Sequence, residues 1–324
     1  MKFIPDYQFR VIAEEEYAEK IQEVIDRLER CRTSGFFSSF DGSKLFYEYF
    51  LAENSRGAVV IVHGLSEFTQ KYYEFAYYLL NQGYDVFVYD QRGHGHSCRL
   101  TEQRNLIHVD KFMDYVTDLD RFVSEVVRPA TDQPLYLYGH SMGGAVVALY
   151  LAKYPQVFQK AVMSAPMIEP LTGDISPFVA RVGLSAYLLF GNKKSRFWRS
   201  NDFNPDYKFE NSDDKSLARF TRHMALRRGD KDYQTTPLSM RWVQQSVCLR
   251  PKLVKVRFGR RIRTPILLLS AEQDKVVNTQ AQAAFAEKCP ACEYVVMKGA
   301  AHALLNGLAP TVTEYVQRIL DYFV

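Results

Sequence analysis

Two periods of apolar and polar positions alternate along this chain. Short apolar runs lie at residues 45–50, 58–62, 85–89, 135–138, 161–164, 266–269 and 294–297. Several are continuously apolar, as strands buried on both faces must be. Between them, apolar residues recur at helical spacing over residues 71–81, 109–127, 145–153, 279–288 and 311–323. Strands alternating with helices at this spacing predict a mainly parallel sheet covered by helices on both sides.

The alternation is interrupted twice. Residues 14–32 place Tyr17, Ile21, Val24, Ile25 and Leu28 at helical spacing among charges, which predicts an amphipathic helix. It either packs on the body or rests on a membrane surface, and its mixed acidic and basic polar face weakens the second reading. The longer interruption falls between residues 165 and 264, with helix-like pieces near 177–190, 213–228 and 237–257. We read it as a helical insertion forming a cap. The expected organisation is an N-terminal helical segment (1–34), a core (35–165 and 264–324) and a basic cap (166–263).

Composition narrows the class. With 324 residues and 47% hydrophobic content, the chain can bury a large core. No run of about 18 uncharged apolar residues exists, which argues against a transmembrane helix. Residues 1–6 lack the apolar stretch and cleavage site of a signal peptide, so a cytoplasmic location is expected. Five cysteines, an odd and sparse set, suit a reducing compartment. Cys289 and Cys292 form a lone C-x-x-C without the second ligand pair that a structural zinc needs. Two ordinary thiols or a redox pair both fit that spacing.

Charge changes the picture further. The net charge is +4, yet residues 166–263 hold 20 Lys and Arg against 9 Asp and Glu. The cap therefore carries +11 on a remainder of −7. Tyr187, Leu188, Leu189 and Phe190 precede Lys193, Lys194, Arg196, Phe197, Trp198 and Arg199, a mixture suited to the boundary between headgroups and acyl chains. Residues 250–263 add seven basic side chains and no acidic one. Peripheral contact with an anionic membrane on its inner face is one reading, and a solvated cap face is the other. Nucleic acid is not expected as a partner, because no recognition motif accompanies the charge. Nothing in the sequence fixes the oligomeric state.

The chemistry centres on Gly139-His140-Ser141-Met142-Gly143-Gly144, between a strand-like run and a helix-like run. A Gly-x-Ser-x-Gly in that context is the nucleophile elbow of a serine hydrolase. A serine hydroxyl needs a base, and the base needs a carboxylate to hold its tautomer. In this arrangement the order is Ser, then Asp or Glu, then His, each at a strand's C-terminal end. Asp274 and His302 satisfy both conditions. Glu272 is a rival acid. Asp90 precedes the serine and is expected to order the turn after it. His140 is expected to point away, while His63, His94, His96, His108 and His223 lack a strand-end position in the right order. The amides of Leu65 and Met142 are the candidate oxyanion donors, Gly64 allowing close approach beside the first. This chemistry calls for no metal or cofactor.

Three motifs resemble α/β-hydrolases of the lysophospholipase and monoacylglycerol lipase type: residues 63–67 (HGLSE), 90–97 (DQRGHGHS) and 139–144 (GHSMGG). Residues 71–119 and 164–167 look especially like bacterial lysophospholipases. The resemblance implies an α/β-hydrolase fold with a helical cap inserted after the sixth strand. It also implies ester hydrolysis through an acyl-enzyme, with a lipid ester as substrate. Lysophospholipid leads, with monoacylglycerols or small esters as alternatives. A serine aminopeptidase would want a carboxylate cluster for the substrate amine, and a non-catalytic binder should have lost a triad member. Leu65 departs from the smaller residue common at that position.

Overall fold

The computed structural model describes all 324 residues. Eight strands form one sheet: β1 (Thr33–Ser38), β2 (Lys44–Phe50), β3 (Gly57–Val62), β4 (Tyr84–Tyr89), β5 (Leu135–His140), β6 (Lys160–Ser164), β7 (Ile266–Ala271) and β8 (Cys292–Met297). Their spatial order is β1-β2-β4-β3-β5-β6-β7-β8. The first two pair antiparallel at one edge, and β3 to β8 are parallel. This is the α/β-hydrolase fold. The strand that the apolar runs do not reveal is β1, whose residues are mostly exposed or half-buried. Counting it makes Lys160–Ser164 the sixth strand.

Side chains of the central strands alternate between two cores, as the twofold period of a strand requires. In β3, Ala58, Val60 and Val62 join one core while Val59 and Ile61 join the other. Helices α1 (Tyr17–Cys31) and α2 (Tyr73–Asn81) cover the second core; α3 (Met113–Phe122) and α4 (Met142–Lys153) cover the first. In α1 the positions Tyr17, Ile21, Val24 and Leu28 are buried, so its apolar stripe faces the body. Thr33 and Ser34 already belong to β1, which ends the N-terminal helical segment at Arg32 rather than at residue 34. Helix α3 starts four residues later than its periodicity suggests. Ile107 is bridged to Leu238 of the insertion, and that pairing keeps the preceding chain extended.

Between β6 and β7 run α5 (Pro177–Phe190), α6 (Leu217–Gly229) and α7 (Met240–Val247), followed by two single helical turns within residues 250–259. The layers are completed by α8 (Thr279–Lys288) and α9 (Ala309–Phe323). The two outer helices of the insertion are held very differently. Only Leu184 of α5 is buried. In α6, Arg219 is buried and donates to Glu74 of α2 at 2.6 Å, to the Ile12 carbonyl at 2.9 Å and to the Gly307 carbonyl at 3.3 Å. Tyr17 and Tyr78 donate to the same Glu74 carboxylate, and Glu14 accepts from Ser216 and the Ala218 amide. The N-terminal segment thus ties α6 to the body.

Candidate active site

Ser141 stands between β5 and α4 with φ 51° and ψ −117°, a backbone region that L-residues seldom adopt. The turn is tight enough that its glycines are obligatory. A Cβ on Gly143 would lie 2.0 Å from the Val62 carbonyl oxygen, and one on Gly139 would lie 2.5 Å from Val147. Small residues therefore let β3 and α4 close around the elbow, and the serine is pushed out at the carboxyl end of the sheet.

His302 reaches this serine from the loop after β8. Its Nε2 is 2.9 Å from Ser141 Oγ, and its Nδ1 is 2.7 Å from Asp274 Oδ2. Asp274 Oδ1 accepts from the amides of Val276 and Val277. Burial would push the Asp274 carboxyl up, but the hydrogen bond and charge of His302 and the two amides hold it below its ordinary range. It is therefore ionised and orients His302 with the proton on Nδ1. That leaves Nε2 free to accept from the serine hydroxyl. Glu272 does not compete, because its carboxylate accepts from the Gly299 amide.

The amides of Leu65 and Met142 donate to no protein acceptor, and both flank the elbow. Met142 is the first residue of α4, whose N-terminal dipole favours negative charge there. The loop carrying Leu65 is held from two sides. His63 is fully buried; its Nδ1 is 2.7 Å from the Gly64 carbonyl, and its Nε2 accepts from the Gln91 amide. Burial pushes the His63 ring down to about 4, so it is neutral and Nδ1 carries the proton. From the other side, Glu67 accepts from the Gly64 amide at 2.5 Å, from Tyr72 Oη at 2.6 Å and from Lys71 Nζ.

His140 does not point away. Its ring lies 5.0 Å from that of His302, and its Nε2 faces Glu67 at 3.5 Å. The chain thus places a buried carboxylate, Glu67, behind both the loop carrying Leu65 and the histidine that packs on His302. No periodicity signals this, since the partners lie on separate elements. The hint in the sequence is that Glu67 closes the motif at residues 63–67 (HGLSE). Asp90 orders the following turn as expected: it accepts from the amides of Thr69 and His96, and a Cβ on Gly95 would collide with it. Arg92 fixes the same loop through a bidentate, buried bond to Asp118 at 2.5 and 2.6 Å.

An apolar cavity of about 470 Å³ lies within the insertion, lined by α5, α7 and the stretches around Leu171 and Trp198. It does not touch Ser141 or His302. Two connections lead to it from the site. The Met167 amide donates to the Ser141 carbonyl, and the Leu171 amide donates to the carbonyl of Val276, two residues past Asp274. The chain from the elbow to the cavity is thus anchored at both ends on the candidate site. No helix is long and apolar enough to cross a membrane.

Residues 53–308 match the family described as serine aminopeptidase, S33. The chain is 30% identical to lysophospholipase L2 of Escherichia coli over 91% of its own length and 88% of that protein. It is 28% identical to mouse monoglyceride lipase over 88% of each chain. A solved monoglyceride lipase of Saccharomyces cerevisiae, a soluble variant in complex with a substrate analogue, superposes with a TM-score of 0.73 at 19% identity. That comparison covers 90% of this chain and 94% of the other, and it is a likeness of fold.

Proposed function

The chain belongs to the serine aminopeptidase S33 family of α/β-hydrolases, and from that premise we propose that it hydrolyses the carboxylic ester of a single-chain lipid, a lysophospholipid first, with Ser141 as nucleophile. The observation that carries this reading is the chain of hydrogen bonds from Ser141 through His302 to Asp274, at 2.9 and 2.7 Å.

His302 Nε2 takes the Ser141 proton as Oγ attacks the ester carbonyl. The oxyanion that forms is held by the Leu65 and Met142 amides, which are aimed before the substrate arrives. The bond to the leaving alcohol then breaks, and His302 returns its proton to that oxygen. Water attacks the acyl-enzyme by the same route, with His302 again taking a proton; the acyl–Oγ bond then breaks, His302 returns that proton to Ser141 Oγ, and the fatty acid departs. The apolar cavity suits an acyl chain, and the +11 charge of the cap favours a phosphate-bearing headgroup over a neutral one.

A second reading, monoacylglycerol hydrolysis, is favoured by the relatives named monoglyceride lipase. Peptide hydrolysis is disfavoured because nearby carboxylates already have internal partners: Glu67 with Lys71, Glu169 with Asn278, Asp214 with Asn306. We further propose that the basic cap meets an anionic membrane surface.

Rates on a lysophospholipid and a monoacylglycerol with the same acyl chain, measured side by side, test the substrate order. Ser141→Ala should abolish both activities and labelling by a fluorophosphonate. A Ser141→Ala protein with full activity would overturn the mechanism, and a faster rate on monoacylglycerol would reverse the substrate assignment.

A further inference from the structure

After α7 the chain carries a group of cations that nothing in the protein neutralises. Lys252, Lys255, Arg257 and Arg261 line a cavity of about 410 Å³ floored by Pro251 and Phe258, with no acidic residue in its wall. Arg250 is paired, with Glu169 at 3.6 Å. The six cations from Lys252 to Arg263 lie at the surface and make no ion pair, although surface arginines elsewhere find carboxylates: Arg10 with Glu16, Arg104 with Asp232, Arg318 with Glu314. Of the six, Lys252 alone has any side-chain contact of hydrogen-bond type, and its partner is the sulfur of Met113. Burial and the charge of Arg261 together hold the Lys252 ammonium below its usual range. Like charges gathered at one site without counterions raise the local potential and attract anions.

The surface beside this cavity is apolar. Helix α5 presents Phe178, Val182 and Leu189 to solvent, 62%, 50% and 74% exposed, on one helical face with Arg181 and Ser185. Arg181 lies over the Phe178 ring at 5.3 Å. From Ser185 the contact passes to Gln244 and on to Cys248, a residue that also lines the cationic cavity. Exposed apolar side chains thus adjoin unpaired cations on a continuous surface, the composition of the headgroup boundary of a bilayer. A soluble polyanion would have no use for Phe178 or Leu189.

We propose that the cavity formed by Lys252, Lys255, Arg257 and Arg261 seats the phosphate of an anionic lipid headgroup in the membrane, a lipid other than the one being hydrolysed. The site lies outside the catalytic machinery and docks the protein so that α5 meets the bilayer. Its purpose rests on the reading of the chain as a lipid ester hydrolase, but its test does not.

The test is flotation of the Ser141→Ala protein, which leaves the lipids intact, with phosphatidylcholine vesicles and with vesicles holding roughly three-tenths phosphatidylglycerol. The triple variant Lys252→Gln, Lys255→Gln, Arg257→Gln should lose binding to the anionic vesicles by about a hundredfold, at about fivefold per charge removed. A control with the same net charge, Lys208→Gln, Lys215→Gln, Lys231→Gln, should bind as before. With Ser141 present, the triple variant should hydrolyse p-nitrophenyl butyrate at the unaltered rate. Equal binding to neutral and anionic vesicles overturns the proposal, as does equal loss in the control. So does a protein that binds a short RNA duplex and no vesicle. Absence of ester hydrolysis in the unsubstituted protein would instead sink the enzymatic reading and leave the flotation result standing.

Discussion

Glu67→Gln separates a residue that positions the oxyanion loop from one that merely fills space. The amide keeps the volume of the carboxylate but removes its charge and half of its acceptor capacity. In the native protein the carboxylate takes the Gly64 amide, Tyr72 Oη and Lys71 Nζ and faces His140. Burial would push the carboxyl up, yet the charges of Lys71 and His140 and the hydrogen bonds hold it well below its usual range. In the variant, an NH2 group must face either Lys71 or the Gly64 amide, donor against donor. Removing one partner of a buried ion pair costs about 3–5 kcal/mol. The Lys71 side chain is 13% exposed and turns partly to water, so the lower end, about 3 kcal/mol, is expected in urea unfolding. The same change loosens Gly64 and with it the Leu65 amide. Loss of one oxyanion donor typically lowers kcat by about 10²–10³-fold, and a displaced loop should approach the smaller figure. KM should change little, because in the proposed role that amide meets charge that exists only in the transition state. The assay is kcat and KM on p-nitrophenyl butyrate at neutral pH, beside the unfolding curve. Tyr72→Phe, which removes one hydrogen bond to the carboxylate but leaves its charge and the Gly64 bond, should cost about 1.5–3 kcal/mol and little rate. A Glu67→Gln protein that is destabilised but keeps its kcat would refute the positioning role.

Asp274→Asn should leave the fold intact and lower kcat by roughly 10⁴-fold, because an amide lets His302 settle in the wrong tautomer; activity within tenfold of the native rate would contradict that assignment. Gly143→Ala sets a methyl group against the Val62 carbonyl, so a loss of about 1–3 kcal/mol in thermal or urea unfolding should accompany a drop in kcat. Burial pushes His63 and His140 down to about 4, below the ordinary imidazole value of 6.5. The unfolded chain therefore binds more protons between these values, and stability that is complete above pH 6.5 is lost as pH falls toward 4. The loss should reach about 3 kcal/mol per histidine. Urea midpoints measured across that range should fall, and His63→Gln and His140→Gln should flatten the slope even where they lower the plateau.

The elements best seen in the sequence are those whose burial is uniform. Residues 58–62 and 266–269 are apolar without interruption because helices cover both faces of β3 and β7. Edge strand β1 escaped notice because it borders solvent on one side and carries Thr33, Ser34 and Ser38. The candidate site was legible where chain order and strand ends constrain it, as for Ser141, Asp274 and His302. It was illegible where it depends on side chains meeting across elements. Glu67, Lys71 and His140 come from a loop, a short helical turn and the end of β5, and only the closed sheet brings them together. In the insertion the helices were visible, but not that α6 is clamped to the body through Arg219 while α5 packs only on the insertion itself, through Leu184 and Leu188 against α7.

That unequal clamping separates two kinds of evolutionary freedom. Substitutions on the outer face of α5, at Phe178, Val182 and Leu189, touch no buried core, so that face can drift toward new surfaces at little cost to the fold. Changes to Arg219, Glu74 or Tyr17 strike three elements at once and will be purged. The N-terminal segment, distant in sequence from the serine, thereby becomes a tether for the roof over the site. Editing residues 12–17 would loosen or tighten that roof while leaving the reacting groups as they are.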